Sequence, residues 1–451
     1  MKTRMNFKDE FYQKLKLLVL PIAIQNFMLA LVSATDAIML GWIDQTSLSA
    51  VSLAGQVQFV LSLFISGIAA GAGIMAAQYW GKRDAASIEK VIPIALRTNL
   101  LFSGLFTILA GFCPEMLMRI FTNDAALVAS GSQYLRAVAL SYVLCGISQV
   151  YLILLKNTGH AAVSSRISST AVVLNIILNA ILIYGLCGAP ALGIRGAAYA
   201  TVAARVVELI WAYLETKKPE RVRILWNRLF SSAGKILSED FWRYTLPVLA
   251  ASLVWGIAYV LYSVIMGHMG SDATAANSIA SIVRTIIASL CWGIAAGVSI
   301  IIGQTLGQNK LEEAKKMGGK FVRLSIWIGA ASGLVILLLI PLVLRVITLT
   351  PQAMYYLKFM LCMAAYYIIG NSLNSTIISG IFPAGGDTKF GMICDVVTLW
   401  CFVVPLGMLA AFVWHAPVLL VAFILTLDEF VKIPAVYIHY VKYKWVKNIT
   451  R

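Results

Sequence analysis

Residues 67–84 read GIAAGAGIMAAQYWGKRD, and residues 293–310 read GIAAGVSIIIGQTLGQNK. The two stretches start 226 positions apart, and the same shift places Pro21 on Pro247 and Gly41 on Gly267. The chain therefore consists of two copies of one unit, each about half its length. Duplicated halves are a device of membrane transporters, because two similar lobes can rock about a site held between them.

The composition is that of a membrane protein. Of 451 residues, 60% are hydrophobic and 12% are charged, whereas a soluble domain carries roughly 25% charged residues. A helix needs about 20 apolar residues to cross a bilayer. Twelve such runs lie near 15–41, 51–78, 91–112, 131–155, 163–186, 194–215, 244–267, 276–303, 320–346, 353–379, 389–412 and 416–440.

These runs predict an all-α membrane protein with twelve transmembrane helices in two pseudo-symmetric six-helix lobes, related as parallel repeats. We expect helices 1–6 in residues 1–215 and helices 7–12 in residues 244–451. Residues 216–243 form the one long polar stretch and are predicted to be a cytoplasmic linker. Apolar residues among its arginines are typical of an amphipathic helix at the membrane surface, although a plain solvated connector fits equally well.

The net charge of +16 reflects orientation in the membrane. Lysine and arginine concentrate in alternate loops, which is the positive-inside pattern of membrane proteins. The pattern places both termini and the linker in the cytoplasm, where the basic residues contact anionic lipid head groups. It argues against a nucleic-acid partner.

Four polar residues mark a candidate ion site in the first lobe. Asp36 lies five residues before Gly41 on the first span, and a carboxylate inside a bilayer is a functional candidate by default. Asn175 and Asn179 share one face of the fifth span, and Thr201 lies at a similar depth on the sixth. Their oxygens suit a hard cation such as Na⁺, and a buried carboxylate can instead exchange a proton. Helix-to-helix hydrogen bonding is the structural alternative for each asparagine.

The second lobe does not repeat this set. The repeat places Tyr262 at the position of Asp36, with Cys401 and Pro405 opposite the two asparagines. An ion site is therefore expected in the first lobe only. Gln25 and Asn26 on the first span are further candidates to line a cavity there.

Other charged residues lie within the spans. Arg284 lies in the middle of the eighth span, where it either forms a structural salt bridge or has a role in substrate binding or gating. Arg205 and Glu208 are three residues apart and are expected to pair. The same expectation holds for Asp428, Glu429 and Lys432, whereas Asp395 is expected only to cap or snorkel at the inner end of its span.

The chain resembles the multidrug and toxic-compound extrusion (MATE) family over nearly its whole length. The motifs that carry the resemblance are the two GIAAG stretches, PIAIQNFMLALVSATDAIMLG at 21–41, LNIILNAILIYG at 174–185, GIRGAAYAT at 193–201 and DVVTLWCFVVPLG at 395–407. The resemblance implies two six-helix lobes around a cavity that opens to one side at a time. It also implies drug export driven by inward flow of H⁺ or Na⁺.

The resemblance assigns roles to particular residues. Many prokaryotic members use an Asp of the first helix with polar residues of the fifth and sixth, which match Asp36, Asn175, Asn179 and Thr201. Some members have Asp where Asn179 stands, so this chain keeps one carboxylate at the site.

Further matches concern the branch of the family. The NorM-like branch also uses acids on the seventh and tenth helices, and Trp255 and Ser372 stand at those positions here. This difference places the chain nearer the DinF-like side, with Trp255 as a candidate to line the cavity or gate it. The proline of the first helix, implicated in bending, matches Pro21.

The function predicted is that of a secondary exporter of organic, often cationic, compounds in the plasma membrane of a prokaryote. We expect it to be monomeric and to need no cofactor and no metal beyond Na⁺ at Asp36. The alternatives are a flippase of the same superfamily for lipid-linked sugars, and an exporter of an endogenous metabolite. An enzyme is disfavoured because the spans contain no paired catalytic acids or nucleophile–base pair, and a channel because the halves are duplicated.

Overall fold

The computed structural model describes residues 12–41, 45–219, 221–224, 226–230, 234–347 and 349–450. Every regular element in these ranges is helical, so the predicted all-α membrane fold is confirmed. The helices of eight or more residues are α1 Leu20–Gly41, α2 Gln45–Lys82, α3 Ala85–Phe112, α4 Ala125–Leu155, α5 Ala161–Tyr184, α6 Ile194–Thr216, α7 Lys235–His268, α8 Ser271–Gly307, α9 Leu311–Val346, α10 Pro351–Ala384, α11 Thr388–Val413, α12 Val418–Leu425 and α13 Asp428–Val441.

Ten of the continuous helices among the described residues are long and apolar enough to cross a membrane. The twelve predicted spans are recovered once two local breaks are considered. One 60-residue run, Ala125–Tyr184, contains spans four and five, which separate where Gly159 adopts a left-handed φ of 83°. The twelfth span is divided into α12 and α13 by a break at Thr426 and Leu427.

Helix boundaries follow the repeat of the sequence. Gln45 and Ser271, which begin α2 and α8, are 226 positions apart. Ala125 and Pro351, which begin α4 and α10, are separated by the same number. Asp124 and Thr350 precede these two helices. In the first turn, the Asp124 side chain accepts from two backbone N–H groups and the Thr350 side chain from one. Equivalent caps thus start equivalent helices, because a cap satisfies N–H groups that lack a partner within the helix.

The chain forms two compact units, each defined by the contacts among its own residues. The N-unit is Met28–Leu249, and the C-unit combines Ala250–Arg451 with the described residues up to Phe27. Helices α1 and α7 therefore each contribute to both units, with the change at Phe27 in α1 and at Leu249 in α7. The domain boundaries predicted at 215 and 244 stay a prediction about the lobes.

The repeated GIAAG motifs seat these exchanged helix segments. In the N-unit, a Cβ added at Gly67 would lie 2.9 Å from the Cα of Leu249 in α7. In the C-unit, a Cβ added at Gly293 would lie 2.5 Å from the Cα of Ala23 in α1. Contacts this close leave no room for a side chain, so glycine allows the two backbones to approach.

The second glycine of each motif has the same role. A Cβ at Gly71 would lie 2.7 Å from the Cα of Thr245, and one at Gly297 would lie 2.8 Å from the Cα of Val19. Val19 and Thr245 are themselves 226 positions apart. The motif that reveals the duplication is therefore a helix-packing surface of the small-xxx-small type in both units.

The linker forms no amphipathic helix in its described part. Its one helical segment there before α7 is the three-residue Trp226–Arg228, and the Trp226 indole donates to the Tyr151 hydroxyl at 2.8 Å. Arg221 pairs with Glu215 at 2.7 Å. The linker is thus held against the N-unit by specific side-chain contacts, and α7 begins at Lys235, earlier than expected.

Candidate functional site

Three of the four predicted first-lobe residues form one hydrogen-bonded chain in the N-unit. The side-chain amide of Asn175 donates to the Thr201 hydroxyl at 3.3 Å, and the side-chain amide of Asn179 donates to Oδ1 of Asn175 at 3.4 Å. Both asparagines are at least nine-tenths buried. These hydrogen bonds join α5 to α6. The geometry is therefore consistent both with an ion site and with purely structural bonding between the two helices.

Asp36 lies on α1, but its side chain is outside the described residues. The backbone nevertheless relates α1 to the asparagines. The Tyr184 hydroxyl at the end of α5 donates to the Met39 carbonyl oxygen of α1 at 2.6 Å. At 1.5 Å per residue, Asp36 is about 4.5 Å along α1 from this contact and Asn179 about 7.5 Å along α5. The contact therefore brings the two helices together within two turns of both residues.

Other predicted residues of the first span fall elsewhere. Gln25, Asn26 and Pro21 belong to the C-unit rather than to the unit that holds Asn175. Gln25 is buried and Asn26 is half-buried. Just before Pro21 the helix widens, because the Leu20 N–H donates to the Leu15 carbonyl oxygen five residues earlier. Wide turns of this kind are a known origin of bends in helices.

A second polar cluster of the N-unit is an ion pair on α6. Arg205 contacts Glu208 at 2.7 Å, which confirms the predicted pairing. Glu208 is 1% exposed and also accepts hydrogen bonds from the Ser148 and Ser168 hydroxyls at 3.0 and 3.2 Å. One cation and two hydroxyls thus satisfy one carboxylate, which makes this cluster a structural element.

The C-unit contains a larger buried ionic network. Lys432, 4% exposed, lies 3.4 Å from Glu429 and 3.9 Å from Asp428, as the sequence spacing predicted. Its closest carboxylate is Asp395 at 3.2 Å. The expectation that Asp395 only caps or snorkels is therefore wrong, because α11 brings it against α13. Three carboxylates surround a single ammonium group within 4 Å.

Sequence reasoning missed the amides of this network. Asn371 and Asn374 of α10 donate to Glu429 at 2.9 and 2.8 Å. Within the part of the chain that the structure describes, Oδ1 of Asp428 and Oδ1 of both asparagines are buried without a hydrogen-bond donor. The matching spacings of Asn371–Asn374 and Glu429–Lys432, three residues each, are the signal that could have identified the network. No three His, Cys, Asp or Glu residues in the described ranges are grouped closely enough to hold a metal ion.

A cavity opens beside this network and lies wholly within the C-unit. It contains about 510 Å³ of empty space, counting its mouth, between α7, α8, α10 and α12. Arg284 and Tyr262 line it. Trp255 stacks on Tyr259, a further lining residue, at 5.6 Å between ring centres. Trp255 therefore supports the wall of the cavity from one turn away.

Arg284 does not form the salt bridge that the sequence left open. No carboxylate oxygen of the described residues lies within 4 Å of its guanidinium group. Its closest neighbours include two aromatic rings, with Cζ at 5.2 Å from the centre of the Tyr367 ring and 5.9 Å from that of Tyr259. Such cation–π contacts stabilise a guanidinium group through its flat face. One N–H group also hydrogen-bonds to Tyr259, which leaves the remaining donors for other partners.

Duplicated apolar halves, a twelve-span helical fold and polar clusters held within the spans define a membrane transporter. The MatE family model matches residues 21–181 and 247–409, one segment in each half. The chain belongs to this family, the MATE family of multidrug efflux transporters.

Similar proteins agree with the family. The chain is 23% identical over 414 residues to the probable multidrug resistance protein YoeA of Bacillus subtilis, covering 90% of this chain and 88% of that protein. It is 24% identical over 406 residues to the probable multidrug resistance protein NorM of Thermotoga maritima, covering 88% and 85%.

Solved structures show the same fold. A mutant of the Vibrio cholerae MATE transporter VcmN superposes with a TM-score of 0.87 at 14% identity, covering 97% of this chain and 98% of that one. A MOP superfamily transporter from Pyrococcus furiosus superposes with a TM-score of 0.85 at 19% identity, covering 96% of each chain. At these identities the likeness concerns the fold alone.

Proposed function

We propose that this protein is a secondary exporter that moves organic compounds out of the cell by antiport with H⁺ or Na⁺. The family membership supports export, and the intramembrane polar clusters support coupling to an ion. We place it in the plasma membrane of a prokaryote as a monomer, with both termini in the cytoplasm. The alternate-loop distribution of lysine and arginine supports that orientation.

The coupling site proposed is Asp36 with Asn175, Asn179 and Thr201. The observation that carries it is the buried hydrogen-bonded chain from Asn179 through Asn175 to Thr201. The contact of the Tyr184 hydroxyl of α5 with the Met39 carbonyl oxygen of α1, three residues after Asp36, supports including Asp36. A carboxylate in such surroundings can bind Na⁺ together with amide and hydroxyl oxygens, or it can take up a proton.

Alternating charge at Asp36 provides the mechanism of exchange. With the carboxylate charged, the N-unit favours one arrangement of its helices, and a bound proton or Na⁺ favours the other. A ligand shifts such an equilibrium only through its different affinity for the two states, so ion and substrate affect each other's affinity reciprocally. The lone carboxylate among the matched site positions also supports a place nearer the DinF-like branch than the NorM branch.

Export by antiport is tested in inverted membrane vesicles, whose lumen corresponds to the outside of the cell. Vesicles that contain the protein should accumulate an organic compound when the lumen is acidic or rich in Na⁺, and should fail to do so without either gradient. The probes are ethidium as an organic cation and 1-naphthylacetate as an organic anion. Accumulation is followed by fluorescence, with vesicles that lack the protein as the control.

Two results would contradict the proposal. Equal uptake with and without an ion gradient would indicate a channel. If the protein is folded and inserted but neither probe accumulates with either gradient, ion-driven export of organic compounds is contradicted.

A further inference from the structure

We propose that the cavity of the C-unit binds the carboxylate of an aromatic organic acid, with Arg284 as the residue that recognises the anionic group. This inference names a substrate class and rests on the proposed transport function. It departs from the expectation of a cationic substrate, which came from the family resemblance.

The charge of the cavity wall supports this assignment. Arg284 is the one charged residue among the described residues that line the cavity. The uncharged polar groups on the wall include Asn277 and Ser281, which lie on α8 with Arg284. A ligand in this cavity therefore meets a single positive charge together with neutral hydrogen-bonding groups.

The guanidinium group is available to a ligand. Tyr367 contacts it through its ring, and Tyr259 contacts it through its ring and by one side-chain hydrogen bond. No described carboxylate lies within 4 Å. A guanidinium group presents five N–H donors in a planar fork, which fits the two oxygens of a carboxylate. Arg284 thus has the geometry of an anion site whose natural partner comes from outside the chain.

The rest of the wall fits an aromatic body. Met266, Met360 and Met363 line the cavity with Tyr259 and Tyr262. Methionine adapts to irregular shapes and makes favourable contacts with aromatic rings.

The nearby acidic network does not occupy this site. Asp428 is 2% exposed and is not part of the cavity wall, so it acts on Arg284 from beyond 4 Å. Tyr367 connects the two places, because its ring faces Arg284 and its hydroxyl donates to Glu429 at 3.4 Å. Tyr367 would thereby link a carboxylate bound at Arg284 to the ionic network through a single side chain.

Binding of a matched pair of ligands tests the proposal. The probes are 1-naphthylacetate and its neutral amide, 1-naphthylacetamide, titrated at pH 7 by equilibrium dialysis against the purified protein in lipid nanodiscs. We expect the acid to bind at least tenfold more tightly than the amide. Arg284→Gln should weaken binding of the acid at least tenfold and change binding of the amide less than twofold. Arg284→Lys should be intermediate, since an ammonium group lacks the planar fork.

Two further variants complete the test. Lys358→Gln removes an equal charge from an exposed position on α10, so it should leave both affinities unchanged. Ser281→Phe keeps the guanidinium group but fills the cavity, so it should abolish binding of both probes and can be read if Arg284→Gln does not fold. Equal affinity of the wild-type protein for acid and amide, or undiminished binding of the acid to Ser281→Phe, would overturn the proposal.

The assay separates this inference from the proposed function, because it uses no ion gradient. Selective binding of the acid without gradient-driven uptake would support the anion site and contradict antiport. Gradient-driven uptake of ethidium without selective binding of the acid would contradict only the anion site.

Discussion

The sixth span of each half carries an ion pair, and the two pairs are reversed in sign. Arg205 and Glu208 lie 11 and 14 residues after Ile194, the start of α6. Glu429 and Lys432 lie the same distances after Val418, the start of α12. In both units, side chains of the fourth span of the half donate hydrogen bonds to the glutamate of the pair. The donor is Ser148 in the N-unit, and the donors are Asn371 and Asn374 in the C-unit.

The two pairs differ in how fully their charges are satisfied. The N-unit pair is balanced, because Arg205 and two serine hydroxyls satisfy Glu208. In the C-unit, Lys432 is the one described cation within 4 Å of three carboxylates, and Oδ1 of Asp428 has no described donor. The same place in a duplicated fold therefore holds a neutral structural pair in one unit and an incompletely satisfied network in the other.

The largest effect is expected from removing each cation. Lys432→Met leaves three buried carboxylates without a cation within 4 Å and should reduce the stability of the protein by about 3–5 kcal/mol. Arg205→Met leaves one carboxylate that still accepts from two hydroxyls and can be neutralised by one proton, so its cost should be smaller. Thermal unfolding of both variants in detergent, at equal protein concentration, measures the difference.

An equal loss of stability in the two variants would contradict this difference between the units. It would show that the network is no more dependent on its cation than the simple pair is.

A smaller loss of stability is expected in both units at the GIAAG glycines that pack against a crossing helix. Gly71→Leu and Gly297→Leu each place a side chain where the backbone of the crossing helix lies within 3 Å. Overpacking of this kind costs about 1–3 kcal/mol. We expect similar decreases in thermal midpoint for the two, since Thr245 and Val19 are equivalent in the repeat.

Gly55→Leu is the matched control for these glycines, because it is on α2 and a Cβ there meets no atom within 4 Å. It should leave the midpoint nearly unchanged. A decrease equal to that of Gly71→Leu would mean that helix propensity, and not the close approach of α7, explains the effect.

The fold could be predicted from the sequence because duplication and apolar runs are local, repeated signals. The offset of 226 residues marks helix starts and caps in both halves, as at Asp124 and Thr350. The repeat alone does not show that the GIAAG glycines pack against a crossing helix, because the packing partners are distant in sequence.

The candidate site was predictable only in part. Asn175, Asn179 and Thr201 could be grouped because they share a face and a depth, and their hydrogen bonds are present. The approach of Asp395 to Lys432 depends on how α11 packs on α13, which no spacing within either helix determines. The surroundings of Arg284 are likewise set by α7 and α10, so its lack of a carboxylate partner appears only in the structure.

We propose that ion coupling resides in the N-unit at Asp36. The most direct test compares Asp36→Asn with Asp428→Asn in the inverted-vesicle assay, at equal expression and with proton and Na⁺ gradients imposed separately. Each substitution keeps the size of the side chain and removes its charge. We predict that Asp36→Asn is folded and inserted but shows no gradient-driven uptake, whereas Asp428→Asn retains it. Full gradient-driven uptake by Asp36→Asn, with loss in Asp428→Asn, would instead assign coupling to the C-unit network.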